Sequence, residues 1–233
     1  MSKKPEERMV RAITGLQAFV HNHILHLALI GGFVYLPLLN KDWFGWITWF
    51  LGTLAGVFAP GASVMTVGFQ VARIIHRICG FGIIILAAVY AIWQVKDIKK
   101  WKIIRKGGTI EGLIKYYLAG EHADFDKYNP GQVLFFWVFI VPVVVVASIT
   151  GLILVFKGAF DAYTVSLALF LHDCAFFWGL IGGIFHVVAG VILPQNRPVV
   201  DAMFRTGMLP LSFIKEHHSL WYEELKKELG LEE

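Results

Sequence analysis

The chain has 233 residues, of which 57% are hydrophobic and only 16% are charged, and its mean hydropathy is +0.63. Soluble domains are closer to half apolar and a quarter charged, so this composition excludes an ordinary water-soluble protein. The formal net charge of +4 does not indicate a nucleic-acid partner, because the basic residues cluster in loops beside apolar segments, as is typical of membrane proteins.

Four apolar segments are long enough to cross a hydrocarbon core of about 30 Å as helices. In chain order they cover 20–39, 69–94, 133–157 and 164–193. Pro142 lies inside the third segment and favours a kink there, which membrane helices tolerate. We therefore expect an all-α integral membrane protein built as a bundle of four transmembrane helices. The polar N-terminal segment lacks the features of a cleaved signal peptide, so we expect it to be retained.

A fifth apolar stretch at 43–58 is short and rich in aromatic residues, and Pro60 and Gly61 follow it. Its three tryptophans suit the headgroup level of a bilayer. We predict an interfacial or re-entrant helix here. The alternative, a fifth span, would place the two termini on opposite sides of the membrane.

Basic residues are distributed unevenly among the loops. The 95–132 loop carries eight and the N-terminal segment four, whereas the 40–68 loop carries only Lys41. Because cytoplasmic loops are enriched in lysine and arginine, four spans with both termini in the cytoplasm fit this distribution, and five do not. We expect a membrane domain over 1–193 and an amphipathic, helical cytoplasmic tail over 194–233, in the inner (cytoplasmic) membrane of the cell.

Histidines inside the apolar segments are the candidate functional residues, because an imidazole is costly in a bilayer and calls for a partner. The predicted topology places His76 and His172 near the outer ends of their spans, and His23 and His186 near the cytoplasmic ends. His172 and His186 are 14 residues apart, close to four helical turns. Both therefore leave one face of the fourth span, at levels about 21 Å apart.

Two histidine pairs at two depths indicate two haems. Neutral imidazole is a common axial ligand for haem iron, and ligation by two histidines leaves no open position, which favours electron transfer over oxygen chemistry. The alternative is four unrelated histidines, bonded to the backbone or serving a proton path. A proton path would favour intramembrane carboxylates as well, and only Asp173 fits that requirement, near the outer surface.

The two cysteines, Cys79 and Cys174, lie in apolar segments and lack the spacing of a haem-attachment, zinc or iron–sulfur motif. We interpret them as small buried residues and expect haem b to be bound non-covalently. Several glycines near the histidines would let a flat macrocycle approach. These are Gly80, Gly82, Gly179, Gly182 and Gly183.

Two assignments stay open at this level. His21 and His26 crowd the start of the first span beside His23, and His26 shares its helix face, so the spacing leaves His26 as an alternative ligand. Arg73 and Arg77, on either side of His76, are candidates to pair with haem propionates, against simple anchoring at the interface.

Four motifs carry a resemblance to a known family. They are ARIIHRICG around His76, LFLHDCAFFWGLIGGIFHVVAG with two histidines, KYNPGQ at 127–132 and KEHHSLWYEEL at 215–225. They resemble, respectively, the second helix, the fourth helix, a loop and the cytoplasmic tail of the membrane cytochrome b (gamma) subunit of respiratory formate dehydrogenases. That group belongs to a superfamily of four-helix di-haem cytochromes b, which also serves nickel–iron hydrogenases and molybdenum-type reductases.

The resemblance implies two axial pairs, the outer one formed by His76 and His172 and the inner one by His23 and His186. These pairs agree with the depth argument. The first span departs from the family's usual pattern, and one alignment of it would put Gln17 at the ligand position in place of His23.

The resemblance also implies that a quinone, expected to be menaquinone, binds beside the inner haem close to Asn129 and Gln132. Asn and Gln amides can donate to a quinone carbonyl, and cytoplasmic water can supply protons. A local structural role is also expected for KYNPGQ, with Asn129 as a helix N-cap and Pro130 at the first helical position.

By this resemblance, the chain is a membrane-anchor subunit in an oligomeric respiratory complex of anaerobic respiration. It would accept electrons at the outer side from an iron–sulfur subunit and pass them through two b haems to the quinone near the cytoplasmic face. Catalysis on formate would lie in a separate molybdenum- or tungsten-containing subunit. The alternatives are the cytochrome subunit of a nickel–iron hydrogenase, that of a molybdenum-type reductase in which quinol is oxidised, and a haem-free membrane anchor.

Overall fold

A computed structural model describes residues 7–96, 102–104 and 108–231. Its elements follow in this order: β1 (Met9–Arg11), α1 (Gly15–Leu39), α2 (Lys41–Ala55), α3 (Val64–Val95), α4 (Ile110–Ala119), α5 (Pro130–Phe135), α6 (Val141–Val155), α7 (Ala162–Val187), α8 (Arg197–Asp201), β2 (Met208–Pro210), α9 (Leu211–His217) and α10 (Ser219–Glu228).

Four helical segments of the described chain have the length and apolar composition needed to cross a membrane. They are Gly15–Leu39, Val64–Val95, Pro130–Val155 and Ala162–Ile192. The four predicted spans are thus confirmed, and each begins two to five residues earlier than predicted, because apolar periodicity does not mark the polar first turn of a helix. The chain is a multi-pass membrane protein.

The third span stays helical past Pro142. Proline lacks a backbone N–H, and its ring crowds the carbonyl group four residues earlier. A wider, π-helical turn at Phe136–Ile140 joins α5 to α6 directly before this proline. The expected disturbance is therefore a local widening of the helix within a continuous span.

Helix α2 is docked on the start of α3 through two glycines. A Cβ atom added at Gly52 would lie 1.9 Å from the carbonyl oxygen of Val64, and one at Gly68 would lie 1.7 Å from that of Thr48. Only residues without a side chain allow the two backbones to approach this closely. With 15 residues, α2 is too short to span a bilayer, as predicted, and its placement at the membrane interface stays an expectation. Three tryptophans on it are exposed: Trp43, Trp46 and Trp49.

The chain divides into two compact units. The central unit comprises Phe19–Ala91 and Val143–Trp178, and the terminal unit comprises Met1–Ala18, Ile92–Pro142 and Gly179–Glu233. The His76 and His172 side chains belong to the central unit. The 127–132 motif and the C-terminal tail belong to the terminal unit.

The tail is a small folded assembly rather than the single helix expected. Gly207 has a φ of 71°, which reverses the chain, and β2 then pairs antiparallel with β1 before α9 and α10 begin. An apolar cluster joins the N-terminal strand region to this tail. It consists of Ala12, Ile13, Ala202, Leu209, Ile214, Trp221 and Leu225. Amphipathic patterning predicted the apolar face of the tail, but not the glycine turn that divides it.

Candidate functional site

The rings of His76 on α3 and His172 on α7 lie side by side in the central unit. Their centroids are 5.9 Å apart and the ring planes are nearly perpendicular, at 84°. These two histidines are far apart in sequence and come from different spans. The structure thus brings together the pair that the depth argument assigned to the outer level, while its role as a ligand pair stays a prediction.

Hydrogen bonds determine which ring nitrogen of each histidine carries the proton. His76 Nδ1 lies 3.0 Å from the carbonyl oxygen of Gly31, which can only accept, so Nδ1 donates. His172 Nδ1 lies 2.8 Å from the hydroxyl of Thr150, which itself lies 2.6 Å from the carbonyl oxygen of Val146. The hydroxyl proton goes to that carbonyl, and the hydroxyl oxygen therefore accepts from His172. Both rings keep an unprotonated Nε2, the form that binds a metal.

The separation of the two rings fits a metal held between them. Two imidazoles on opposite sides of one metal ion have ring centroids about 6 Å apart, because each metal–nitrogen bond is about 2 Å long. The observed 5.9 Å is close to this value, and with the ring planes at 84° it is also the geometry of an edge-to-face contact between the two imidazoles. The donor set, two neutral imidazoles with Nδ1 already engaged, is also the one expected for a haem iron with two axial histidines.

Tyr35 and Asp173 form a polar pair against these rings. The Tyr35 ring stacks on His76, with centroids 4.8 Å apart, and meets His172 edge-on at 5.8 Å. Its hydroxyl donates to the carboxylate of Asp173, and the whole side chain is only 6% exposed. Sequence reasoning expected Asp173 to lie near the outer surface and overlooked Tyr35 and Thr150. The sequence did carry a signal for both residues, since each places a hydroxyl group inside an apolar segment.

Two histidines of the first span show the same local arrangement. His23 Nδ1 lies 2.7 Å from the carbonyl oxygen of Phe19, and His26 Nδ1 lies 2.6 Å from that of Asn22. Each ring therefore donates through Nδ1 to the preceding helical turn and keeps Nε2 available. Both side chains are exposed. This geometry does not favour one over the other, so the choice of His23 rests on the motif alignment.

The amide of Gln17 is committed to local structure. Its oxygen accepts from the backbone N–H of Thr14 at 3.0 Å, and its nitrogen donates to the hydroxyl of Tyr128 at 3.3 Å. Thr14 in turn caps the backbone N–H of Gln17 at 3.2 Å, so these two residues close the start of α1. The alignment that would put Gln17 at the ligand position is therefore disfavoured.

His186 lies in the terminal unit, exposed and stacked on Phe135, with ring centroids 5.0 Å apart and planes 15° from parallel. His23 belongs to the central unit. The inner pair of His23 and His186 accordingly stays a prediction. Arg73 and Arg77 are both partly buried, and Arg73 donates to the side chain of Gln70 at 3.4 Å. Their proposed contact with propionates stays a prediction as well.

Asn129 and Gln132 form a reciprocal cap at the start of α5. The Asn129 side-chain oxygen accepts from Gln132 N, and the Gln132 side-chain oxygen accepts from Asn129 N, both at 2.9 Å. Pro130 is the first helical residue, so the predicted helix start is confirmed. Capping uses only the amide oxygens. Within the described chain, the two side-chain NH₂ groups make no hydrogen bond and are available to an acceptor.

An apolar cleft opens beside this cap. It has a volume of about 330 Å³ and begins at Pro130, directly after Asn129. Its further lining comes from Gly108, Ile110, Val133, Leu134 and Trp137. The Trp137 indole N–H donates to the carbonyl oxygen of Ile103 at 3.2 Å and so ties the wall of the cleft to the preceding loop. Asn129 and Gln132 do not line the cleft themselves but adjoin it through Pro130, and its apolar walls suit a lipophilic compound.

Two of the five glycines expected to admit a macrocycle are used for side-chain packing. A Cβ atom at Gly82 would lie 2.8 Å from Leu27, and one at Gly182 would lie 2.6 Å from Phe139. The other two glycines with a described environment have no atom within 4 Å of such a Cβ, and these are Gly80 and Gly183. Those two positions remain candidates for close approach of a ligand.

Long apolar helices that bring two imidazoles together inside a membrane span define the chain as a helical membrane cytochrome. A family model described as prokaryotic cytochrome b561 matches residues 23–206, and the chain belongs to this family. Membership in a cytochrome b family implies haem b as the cofactor. Electron transport in a membrane is therefore the class of function.

Several curated proteins are similar to most of the chain. The formate dehydrogenase cytochrome b556 subunit of Haemophilus influenzae is 30% identical over 191 residues, which cover 78% of this chain and 69% of that protein. In Escherichia coli, the b556(fdo) subunit of formate dehydrogenase is 25% identical over 78% of this chain and 88% of that protein. The nitrate-inducible b556(Fdn) subunit of the same organism is 28% identical over 78% and 85%.

Proposed function

We propose that this chain is the di-haem cytochrome b subunit of a formate dehydrogenase complex. It takes electrons from an iron–sulfur subunit at the outer face and delivers them to a quinone near the cytoplasmic face. The observation that carries this proposal is the His76–His172 pair, with centroids 5.9 Å apart and Nδ1 of each ring engaged. The names of the similar proteins support formate dehydrogenase over a hydrogenase or a reductase as the partner enzyme.

The residues of the chain have separate tasks in this proposal. His76 and His172 would hold one haem and His23 and His186 a second, and each bound haem supplies a one-electron carrier. Gly31 and Thr150 keep the outer imidazoles in the tautomer that leaves Nε2 free. Arg73 and Arg77 would meet propionates as bidentate donors.

Quinone reduction is assigned to the start of α5. The free NH₂ groups of Asn129 and Gln132 would donate to a carbonyl oxygen of menaquinone, whose ring lies against apolar walls such as those of the adjacent cleft. A quinone that receives two electrons takes up two protons and becomes the quinol. Cytoplasmic water is the proton source in this arrangement, so electrons enter at the outer face and protons at the inner face.

A reduced-minus-oxidised spectrum of the purified full chain, with pyridine haemochrome quantification, tests the haem assignment. We expect two b haems per chain, one of which is lost in His76→Ala and the other in His186→Ala. His122→Ala is the control, because this histidine lies outside the spans and its side chain is 60% exposed. Folded chain without haem in the wild type would refute the electron-transfer role.

The ligand of the first span is tested by the same quantification. His23→Ala should lose the haem that His186→Ala loses, whereas His26→Ala should retain both. The opposite result would move the ligand to His26, whose Nδ1 is bonded in the same way.

A further inference from the structure

The tail motif at 215–225 contacts loop residues 124–127, which lead into the 127–132 motif. His218, in the tail motif at 215–225, donates from Nδ1 to the carbonyl oxygen of Asp126 at 2.7 Å. The backbone N–H of Leu220 donates to the carbonyl oxygen of Phe125 at 3.1 Å. These two bonds hold the backbone of the loop three and four residues before Asn129. Residues 121–128 themselves are neither helix nor strand.

Side chains add a second set of contacts between the same two segments. Ser219 donates to the Asp124 carboxylate at 2.6 Å. The ammonium group of Lys127 lies 5.3 Å from the centroid of the Trp221 ring, within the range of a cation–π interaction. His218 and Trp221 are both buried, at 8% and 6% exposure, so the tail covers the loop rather than touching it at the rim.

Lys102 forms ion pairs with both the loop and the tail. The Lys102 ammonium forms an ion pair with Asp126 at 3.3 Å and a second one with Glu224 of α10. The Lys102 and Asp126 side chains are only 15% and 12% exposed, so the pair is shielded from solvent. Breaking a shielded pair by removal of one partner is costly, because the other charge remains buried.

We propose that the C-terminal tail positions the quinone-binding amides of Asn129 and Gln132, with His218 and Trp221 as the positioning residues. This inference rests on the proposed quinone role of the 127–132 motif. The loop that leads into α5 has no regular structure of its own, and the tail holds it at Phe125 and Asp126, so the tail determines the position of the capped start of α5 and of its two free NH₂ groups. The two motifs are then parts of one site, although more than 80 residues separate them in sequence.

The test measures how well a soluble, short-chain menaquinone analogue oxidises the dithionite-reduced full chain in stopped flow. Rates measured over a series of analogue concentrations give two quantities, the half-saturating concentration and the maximal rate. His218→Ala removes the bond to Asp126, and we expect the half-saturating concentration to rise about tenfold, because a weakened hydrogen bond to a bound ligand costs about one order of magnitude in affinity. The haem content and the maximal rate should change by less than about twofold.

Conservative variants separate positioning from general stability. His218→Asn places an amide donor where Nδ1 stands, so we expect it to restore a half-saturating concentration within about twofold of the wild type. Leu225→Ala is the destabilising control. Leu225 is buried in the apolar cluster of the tail, but it is not among the residues that form hydrogen bonds to the loop. It should leave the half-saturating concentration unchanged.

Asn129→Asp, which removes an NH₂ donor from the loop itself, is measured in parallel. A rise in half-saturating concentration in both Asn129→Asp and His218→Ala supports the inference. A rise in Asn129→Asp alone overturns the positioning role of the tail and leaves the quinone site standing. No rise in either variant overturns the quinone assignment of the 127–132 motif, and an equal rise in Leu225→Ala would overturn the specific role of His218.

Discussion

Single hydrogen bonds decide what the intramembrane histidines can do. A neutral imidazole has one protonated and one unprotonated nitrogen. Inside a bilayer, either nitrogen loses free energy of stabilisation if it lacks a hydrogen-bond or metal partner. His76 and His172 each give the Nδ1 proton to an oxygen from another part of the chain, Gly31 O and Thr150 Oγ. These two bonds fix the orientation of both rings and direct ligand binding to Nε2.

Replacement of Thr150 tests this orientation directly. Thr150→Val keeps the shape of the side chain but removes the acceptor for His172 Nδ1. Because partners that orient a metal-binding histidine commonly contribute 10–100-fold in affinity, we expect the outer haem to bind about 10–100-fold more weakly and its midpoint potential to shift. Thr150→Ser retains the hydroxyl and should retain the haem. Haemochrome quantification and a redox titration provide the measurement, and equal haem retention in both variants would contradict the assignment.

Acidic replacements separate capping from quinone binding at the start of α5. Asn129→Asp and Gln132→Glu keep the oxygens that accept from the backbone N–H groups, and a negative charge at a helix N-terminus is favourable. Helix stability should therefore change by no more than about 0.5 kcal/mol. Loss of the NH₂ donors should raise the half-saturating concentration of a menaquinone analogue about tenfold. Unchanged quinone kinetics in both variants would leave the motif as a helix cap alone.

Spacing in the sequence predicted the meeting of His76 and His172, because helix geometry converts spacing along a span into depth. It did not predict Tyr35, Thr150 or the carbonyl of Gly31 around them. Those contacts depend on how the helices are rotated against one another, and an apolar segment that is hydrophobic on all sides carries little information about rotation. A histidine pair is therefore easier to find from sequence than the groups that orient it.

At the scale of whole elements, hydropathy predicted the four spans because twenty or so apolar residues in a row have few other stable structures. The glycine contact between α2 and α3 was not predicted, since no periodic pattern marks Gly52 or Gly68. The division of the tail into α8, β2, α9 and α10 depends on Gly207 and on pairing with β1, a partner about 200 residues earlier. Pairing at such distance leaves no local signal in the sequence.

The close packing of α2 on α3 leads to a prediction about thermal stability. Gly52→Ala or Gly68→Ala puts a methyl group within 2 Å of a backbone oxygen, so one helix must move away from the other. We expect the free energy of unfolding to fall by about 3 kcal/mol, which corresponds to a fall of roughly 6–10 °C in Tm. Gly56→Ala is the matched control, because a Cβ atom there has no neighbour within 4 Å. A thermal melt of the purified chain provides the measurement, and equal Tm values for all variants would contradict the contact.

The docking of the tail should depend on pH. Burial lowers the pKa of His218 and of His217 from the ordinary value of about 6.5, while Asp126 opposes the shift at His218 and His217 adds to it. The undocked tail binds protons more readily, so the stabilisation is fully present above about pH 6.5 and is lost as the pH falls through the lower pKa of the docked state. Hydrogen exchange of the tail amides, corrected for intrinsic rates, should therefore be faster near pH 5.5 than near pH 7.5. His218→Asn should remove most of this difference, and an unchanged difference would assign it to another group.

At the scale of the whole molecule, charge predicts how the chain lies in the membrane. The 95–132 loop carries eight lysine and arginine residues, and the 40–68 loop carries one. Each basic residue is costly to translocate when it lies close to a span, so we expect the lysine- and arginine-rich loop to stay on the cytoplasmic side. The proposed quinone amides lie at the end of that loop, where α5 starts, and we expect the 40–68 loop to lie on the opposite side.

Reporter insertions test this orientation without reference to any cofactor. Gly120, which ends α4 with a φ of 69°, and Gly61, which follows α2 with a φ of 83°, are turns where an added Cβ atom would meet no other atom within 4 Å. A reporter active only in the cytoplasm should work when inserted at Gly120 and fail at Gly61, and a reporter active only outside should show the reverse, since an odd number of spans separates the two sites. The inverted result would place Asn129 at the outer face. The end with His76 and His172, where electrons are proposed to enter, would then face the cytoplasm, and electron transfer to a quinone at the outer face would oppose the build-up of the membrane potential.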